Sequence, residues 1–227
     1  MKLNRAALRD FILGSQDGLV NVLALVLGVA TATNDMRIVI IAGLAATFAE
    51  SISMAAVAYT STKAAHDYYE KQHAEEWKEV KERPEEARRE IKEVYYKKGF
   101  RGPLLAAVIR KITSNKKVWV DTMMTEELKL SKEDYTSPIG SAKTVGIACI
   151  VGSLIPIAPF ILSLPVSESI MISLVISIAA LFVVGAVKAR TTTGTWWKSG
   201  IEIAGIGTLA AIAGYLIGSV LGAVYAV

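Results

Sequence analysis

One cysteine, Cys149, and two histidines, His66 and His73, are all that this 227-residue chain holds of either residue type. A lone thiol in an apolar stretch excludes an intrachain disulfide framework and any thiolate-rich metal centre. It reads as a small buried side chain. Charge of one sign is also scarce over most of the chain. Outside residues 66–137 the only acids are Asp10, Asp17, Asp35, Glu50, Glu168 and Glu202. A net charge of +4 is too small to argue for nucleic acid. No cleavable signal peptide is evident, because the first apolar run is long enough to span a bilayer and lacks a small-residue cleavage pattern.

The chain is 52% hydrophobic, with a mean hydropathy of +0.41, yet 20% of its residues are charged. That combination fits membrane spans plus one hydrophilic domain better than a soluble globule. Five apolar stretches, at about 8–33, 38–62, 142–162, 169–187 and 200–224, each approach the ~20 residues that cross ~30 Å of hydrocarbon. Lys2, Arg5 and Arg9 flank the first span, and Lys188, Arg190 and Lys198 lie between the fourth and fifth, on the same side. The opposite side offers only Arg37. Positive charge favours the cytoplasm. The amino terminus and the charged segment are therefore expected inside, and the carboxyl terminus outside or in a lumen.

The charged segment carries helix signals and no strand signals. A helix over 66–83 ends at Pro84, which also suits the first turn of a second helix running to about residue 98 and stopping at Gly99. Gly102-Pro103 opens a short amphipathic run to about 112. Ser114-Asn115 caps a last helix over about 116–130. The expected architecture is all-α: spans one and two in 1–63, a cytoplasmic helical carboxylate-rich domain in 64–137, and spans three to five in 138–227.

Two groups of residues carry candidate chemistry. In the charged segment, Glu76 and Glu79 share one helix face, as do Glu90 and Glu93. The break at Pro84 lets the two helices fold back, and the last helix adds Met123, Met124, Glu126 and Glu127. Converging carboxylates repel unless a cation compensates them, and hard divalent ions take oxygen ligands. A thioether suits a borderline metal such as ferrous iron. The alternative is a solvated face of weak surface ion pairs, since this segment also carries 16 lysines and arginines.

The second group lies within the spans. Asp17 and Asn21 are one turn apart in span one, and Glu50 and Met54 one turn apart in span two. Acids at such depth are costly and normally face a partner or a water-filled path. A carboxylate that alternates between proton and metal gives a direct route to exchange; a structural hydrogen bond between helices is the plainer reading. In span three, Pro156 and Pro159 are expected to kink or unwind the helix. Gly214, Gly218 and Gly222 give span five the spacing of close helix contact.

These residues resemble the vacuolar iron transporter family of ferrous iron and manganese transporters. The resemblance rests on Asp17-Gly18-Leu19, Ser53-Met54-Ala55, Met123-Met124 with Glu127-Leu128, the stretch from Gly152 to Pro159, and Gly200-Ile201-Glu202 with Gly214-Tyr215-Leu216-Ile217-Gly218. It implies a five-span homodimer that exchanges cytoplasmic Fe²⁺ for protons along a path at the subunit interface. The membrane would be the cell membrane in a prokaryote or the vacuolar membrane in a eukaryote. It also implies that Glu76, Glu79, Glu90, Glu93, Glu127 and Met123 or Met124 bind metal, with Glu75 or Glu86 as possible replacements for a neighbour. Asp17 and Met54 match the family's pathway residues. Two departures stand out: Val57-Ala58-Tyr59 replaces a Gly-Glu-Tyr stretch, and Glu50 occupies a position that is usually small and apolar.

The expected function is proton-coupled antiport of a divalent transition metal out of the cytoplasm, with Fe²⁺ first and Mn²⁺ next. No enzyme activity and no prosthetic group are expected; Fe²⁺, Mn²⁺, Co²⁺ or Zn²⁺ would bind as cargo. Two rivals differ in kind. Glu70-Lys71-Gln72-His73 supplies one Glu-x-x-His motif toward a membrane-tethered ferritin-like iron oxidase, which needs that motif twice. A metal-binding sensor without transport is the other.

Overall fold

The computed structural model describes residues 5–131, 137–162, 164–191 and 194–225. Among them the regular structure is entirely helical: α1 Arg5–Thr33, α2 Met36–Glu82, α3 Pro84–Lys97, α4 Gly102–Thr113, α5 Lys116–Thr122, α6 Pro138–Ile161, α7 Val166–Thr191 and α8 Trp196–Tyr225. The chain divides into two compact units, one made of Met1–Tyr59 with Pro138–Val227 and the other of Thr60–Ser137. Helix α2 contributes to both.

Five helices (α1, α2, α6, α7 and α8) are long and apolar enough to cross a membrane, and the chain is a multi-pass membrane protein. Helix α1 packs against α6 on one side and α8 on the other. Both contacts run through small residues. A Cβ on Gly152 would collide with the Ser15 backbone, and one on Gly218 with the backbone of Gly28. Without side chains at those points the helices approach to backbone contact, which is how spans associate where burial from water gives no drive. Gly214, Gly218 and Gly222 all face α1 in this way.

Between α1 and α2 the turn is built by Asn34, in the left-handed region at φ 48°, and by Asp35. The Asp35 carboxylate accepts from the backbone N–H of Arg37 at 2.7 Å and of Ile38 at 3.4 Å, capping α2. From there α2 runs unbroken for 47 residues, about 70 Å at helical rise. The expected separation of a span ending near 62 from a helix starting at 66 does not occur. Residues 60–66 hold neither glycine nor proline, so nothing in them stops a helix.

Helix α6 also remains helical through Pro156 and Pro159, so the expected unwinding is absent. Helix α7 supplies polar support on that side: the hydroxyl of Ser173 donates to the Pro156 carbonyl at 2.8 Å, and that of Ser169 to the Pro159 carbonyl at 3.3 Å. Neighbouring side chains of this kind make proline tolerable in a span.

In the second unit, Pro84 occupies the first turn of α3 and Gly99, at φ 99°, ends it. Asn115 caps α5 by accepting from the N–H groups of Lys117 and Val118. Val80, Ala87, Ile91, Leu105, Ile109, Trp119 and Val120 are buried together with Met123 and Met124. Helix α5 does not continue to residue 130. Its last turn widens into a π-helix, Met123–Glu127, closed by the Leu128 N–H on the Met123 carbonyl, and Lys129 at φ 58° turns the chain away.

Candidate cation sites

In the span unit, α1 presents Asp17 and Asn21 four residues apart, so both lie on one face. The Asn21 side-chain amide donates to Asp17 Oδ1 at 3.3 Å and to Glu50 Oε1 of α2. One neutral amide thus ties two carboxylates from different spans. The structure brings these three residues together; Met54, half-buried, lies one turn beyond Glu50 on the same helix. A cation that displaced the amide would meet oxygen donors from two helices, the donor type hard divalent ions take.

Residues of α6 and α2 surround this group. Gly18 is pressed against Cys149 and Ser153, and the Ser51 hydroxyl, next in sequence to Glu50, donates to the Thr47 carbonyl at 2.6 Å. Seven residues before Asp17, on the same face of α1, Asp10 is almost wholly buried and pairs with the exposed Arg9 at 3.1 Å. The pattern reading passed over Asp10. The available signal was its heptad spacing from Asp17.

The second unit separates the six candidate glutamates into two kinds. Glu76, with 8% of its surface exposed, Glu79, Glu90 and Glu127 are mutual neighbours on α2, α3 and the π-turn. Glu76 Oε2 and Glu127 Oε2 are buried and accept no hydrogen bond. Burial, reinforced by the charges of Glu127, Glu79 and Glu90, pushes the Glu76 carboxyl up to about 7. Glu90 is also pushed up to about 7, by burial, then by its hydrogen bond with Glu79 and that residue's charge. Burial raises Glu127 as well, followed by the charges of Glu79 and Glu93. Glu76, Glu90 and Glu127 thus lack a compensating positive charge, whereas Glu79 lies 4.0 Å from Arg83.

Glu93 and Glu126 stand apart. Lys97 pairs with Glu93 at 2.7 Å and holds its carboxyl low. Lys98 pairs with Glu126, with Lys129 at 3.7 Å, and holds that carboxyl low too. Both glutamates line a cavity of about 420 Å³ with Glu90 and Glu127, while Glu75, Glu76 and Glu79 line another of about 540 Å³. Among the described residues, no three His, Cys, Asp or Glu side chains stand close enough to hold a metal ion as they are. The glutamates that meet would have to draw inward around an ion.

Met123 and Met124 are fully buried in the apolar core. Met124 also borders a cavity of about 470 Å³ with Tyr69, Glu70, His73 and Asp121. His73 stacks on Tyr69 at 6.0 Å and meets Trp77 edge-on at 6.4 Å, while Glu70 lies 4.0 Å from His66. The Glu-x-x-His motif is thus occupied by aromatic and local contacts. The π-turn was not foreseen. One extra residue in the turn changes which side chains share a face, and such turns recur at functional sites.

Comparison with known sequences extends this geometry. The sequence profile of the VIT family matches residues 8–219. The chain belongs to the VIT family. Its relatives include vacuolar iron transporter 1 of Arabidopsis thaliana, 32% identical over 94% of this chain and 85% of the plant protein. Vacuolar iron transporter 2 of Oryza sativa is 32% identical over 91% of the chain and 84% of its own length. Protein CCC1 of Saccharomyces cerevisiae is 25% identical over 94% and 68%.

Proposed function

We propose that this VIT-family chain transports divalent transition metal out of the cytoplasm in exchange for protons, with Fe²⁺ first and Mn²⁺ second. The observation that carries the reading is the Asn21 amide joined to both Asp17 and Glu50. Two acids from separate spans share one neutral donor, an arrangement that either a dication or protons can complete. Iron is favoured as cargo by the plant relatives, which are named vacuolar iron transporters.

In this reading Glu76, Glu79, Glu90 and Glu127 capture the ion from the cytoplasm. Asp17, Asn21, Glu50 and Met54 pass it across, and protons on the carboxylates return in its place. The flanking charges support an amino terminus and residues 64–137 in the cytoplasm. The chain acts as a homodimer, and as a carrier rather than an enzyme. The test is metal uptake into liposomes under an imposed pH gradient, comparing Fe²⁺, Mn²⁺, Co²⁺ and Zn²⁺. Fe²⁺ uptake coupled to proton counterflow is expected, falling to the empty-vesicle level in Asp17→Ala. Vesicles that stay closed to every divalent ion, whichever way the gradient runs, would exclude transport; wild-type uptake by Asp17→Ala would exclude the pathway.

A further inference from the structure

Charge in the second unit is segregated. Between Glu93 and Asp121 there is no acid, while Lys97, Lys98, Arg101, Arg110, Lys111, Lys116 and Lys117 all fall in that stretch. Lys97 and Lys98 are taken by Glu93 and Glu126. Among the described residues no ion pair engages Arg110, Lys111, Lys116 or Lys117. Arg101 lies over the Tyr96 ring at 3.4 Å and donates to the Tyr96 and Phe100 carbonyls.

Helix α4 buries Leu105, Ile109 and Ile112 in the core. Its other side is not purely polar. Leu104, 61% exposed, shares an outward face with Ala107 and Lys111. Tyr96 beside Arg101, and Val118 beside Lys117, are about half exposed too. Exposed apolar and aromatic side chains set among unpaired cations are the composition of a surface that lies in a lipid headgroup layer.

We infer that the outward face of α4, with Tyr96, Arg101 and the start of α5, binds the anionic headgroups of the bilayer into which the chain's own spans insert. Charge complementarity selects an acidic partner. The unit is also joined to a span at each end, through α2 and before α6, so the bilayer surface is present at high effective concentration. That separates an acidic lipid from a free acidic protein. The inference needs only that the chain is membrane-embedded, and so stands or falls separately from the transport reading.

The full chain would be placed in nanodiscs of phosphatidylcholine alone, or with about one third phosphatidylglycerol. A nitroxide on Leu104→Cys, in a Cys149→Ser background, reports oxygen against nickel-chelate accessibility. The ratio is expected to rise at least about threefold with the anionic lipid and to fall back in high salt. The combined exchange Arg110→Glu, Lys111→Glu, Lys117→Glu should abolish the rise; all three positions are exposed, so the fold is spared. Equal accessibility in neutral and anionic discs overturns the inference. So does equal protection in detergent, which assigns the face to a second copy, or protection that appears only when an acidic polypeptide or nucleic acid is added.

Discussion

The acids of the span unit and those of the helical unit solve the same electrostatic problem differently. Asp17 and Glu50 are held by a shared neutral donor, Asn21. Glu76 and Glu127 keep buried oxygens with no donor at all. In the spans a lone anion is expensive enough that a partner is built in. In the helical unit protons meet part of the shortfall, since the Glu76 and Glu90 carboxyls, pushed up to about 7, stay partly neutral in a cell. Under the proposed function, the first group would be organised before a cation arrives and the second by the cation itself. The two groups should therefore fail differently when altered.

The largest expected difference is in transport. If the groups act in series, Asp17→Ala removes the route and no metal concentration restores uptake. Glu76→Gln or Glu127→Gln removes only the capture step, so uptake should be poor at low Fe²⁺ and approach wild type at saturating Fe²⁺. Initial rates across a metal titration in liposomes separate a lost maximum rate from a raised half-saturation. Identical failure of the two classes would merge the groups into one site.

A smaller effect is expected with pH, and its sign can be worked out. Glu76 and Glu90 have folded values near 7 against an ordinary 4.5. The folded helical unit therefore binds more protons than the unfolded chain between those values. The stabilisation is complete below about 4.5 and is lost as pH rises through about 7. Without metal, amide exchange over 76–94 should be slower at pH 5 than at pH 8, after correction for the intrinsic rate. Adding a divalent ion at pH 8 should restore protection, because metal then replaces the protons. Metal affinity of this unit should rise over the same pH window. Protection that grows with pH in the absence of metal would show that these carboxyls are compensated after all.

Periodicity and hydropathy were enough for the five spans, because a stretch of about 20 apolar residues has few other uses. Pro84, Gly99 and Asn115 likewise act through their own backbone or side-chain chemistry, and they end or begin helices where expected. What failed depended on context. No residue between 60 and 66 breaks a helix, so α2 continues where a change in polarity suggested a boundary. Pro156 and Pro159 look disruptive alone, and are accommodated by serines on another helix. Asp17, Asn21 and Glu50 could be marked as unusual and a hydrogen bond between helices weighed, but spacing did not show that the Asn21 amide would donate to both acids. The division of Glu93 and Glu126 from Glu76, Glu79, Glu90 and Glu127 was hidden for a similar reason. It turns on which lysines reach them and on a π-turn that no local residue announces.

That division yields the smallest effect. Glu93 and Glu126 already have lysine partners in solvent-accessible positions, and pairs of this kind contribute little. Glu93→Gln should therefore change metal affinity less than about threefold, whereas Glu90→Gln, which removes an uncompensated oxygen donor, should weaken it by at least about tenfold. Lys98→Ala sharpens the contrast. It releases Glu126 from its main partner, leaving only Lys129 at 3.7 Å, and so frees a carboxylate for the cavity that Glu90 and Glu127 line. The variant should bind a divalent ion more tightly than wild type, and the Glu126 carboxyl should move up from its lowered position. If Lys98→Ala leaves affinity unchanged while Glu93→Gln lowers it as far as Glu90→Gln does, the lysine pairs do not set Glu93 and Glu126 apart, and all six glutamates act as one ligand field.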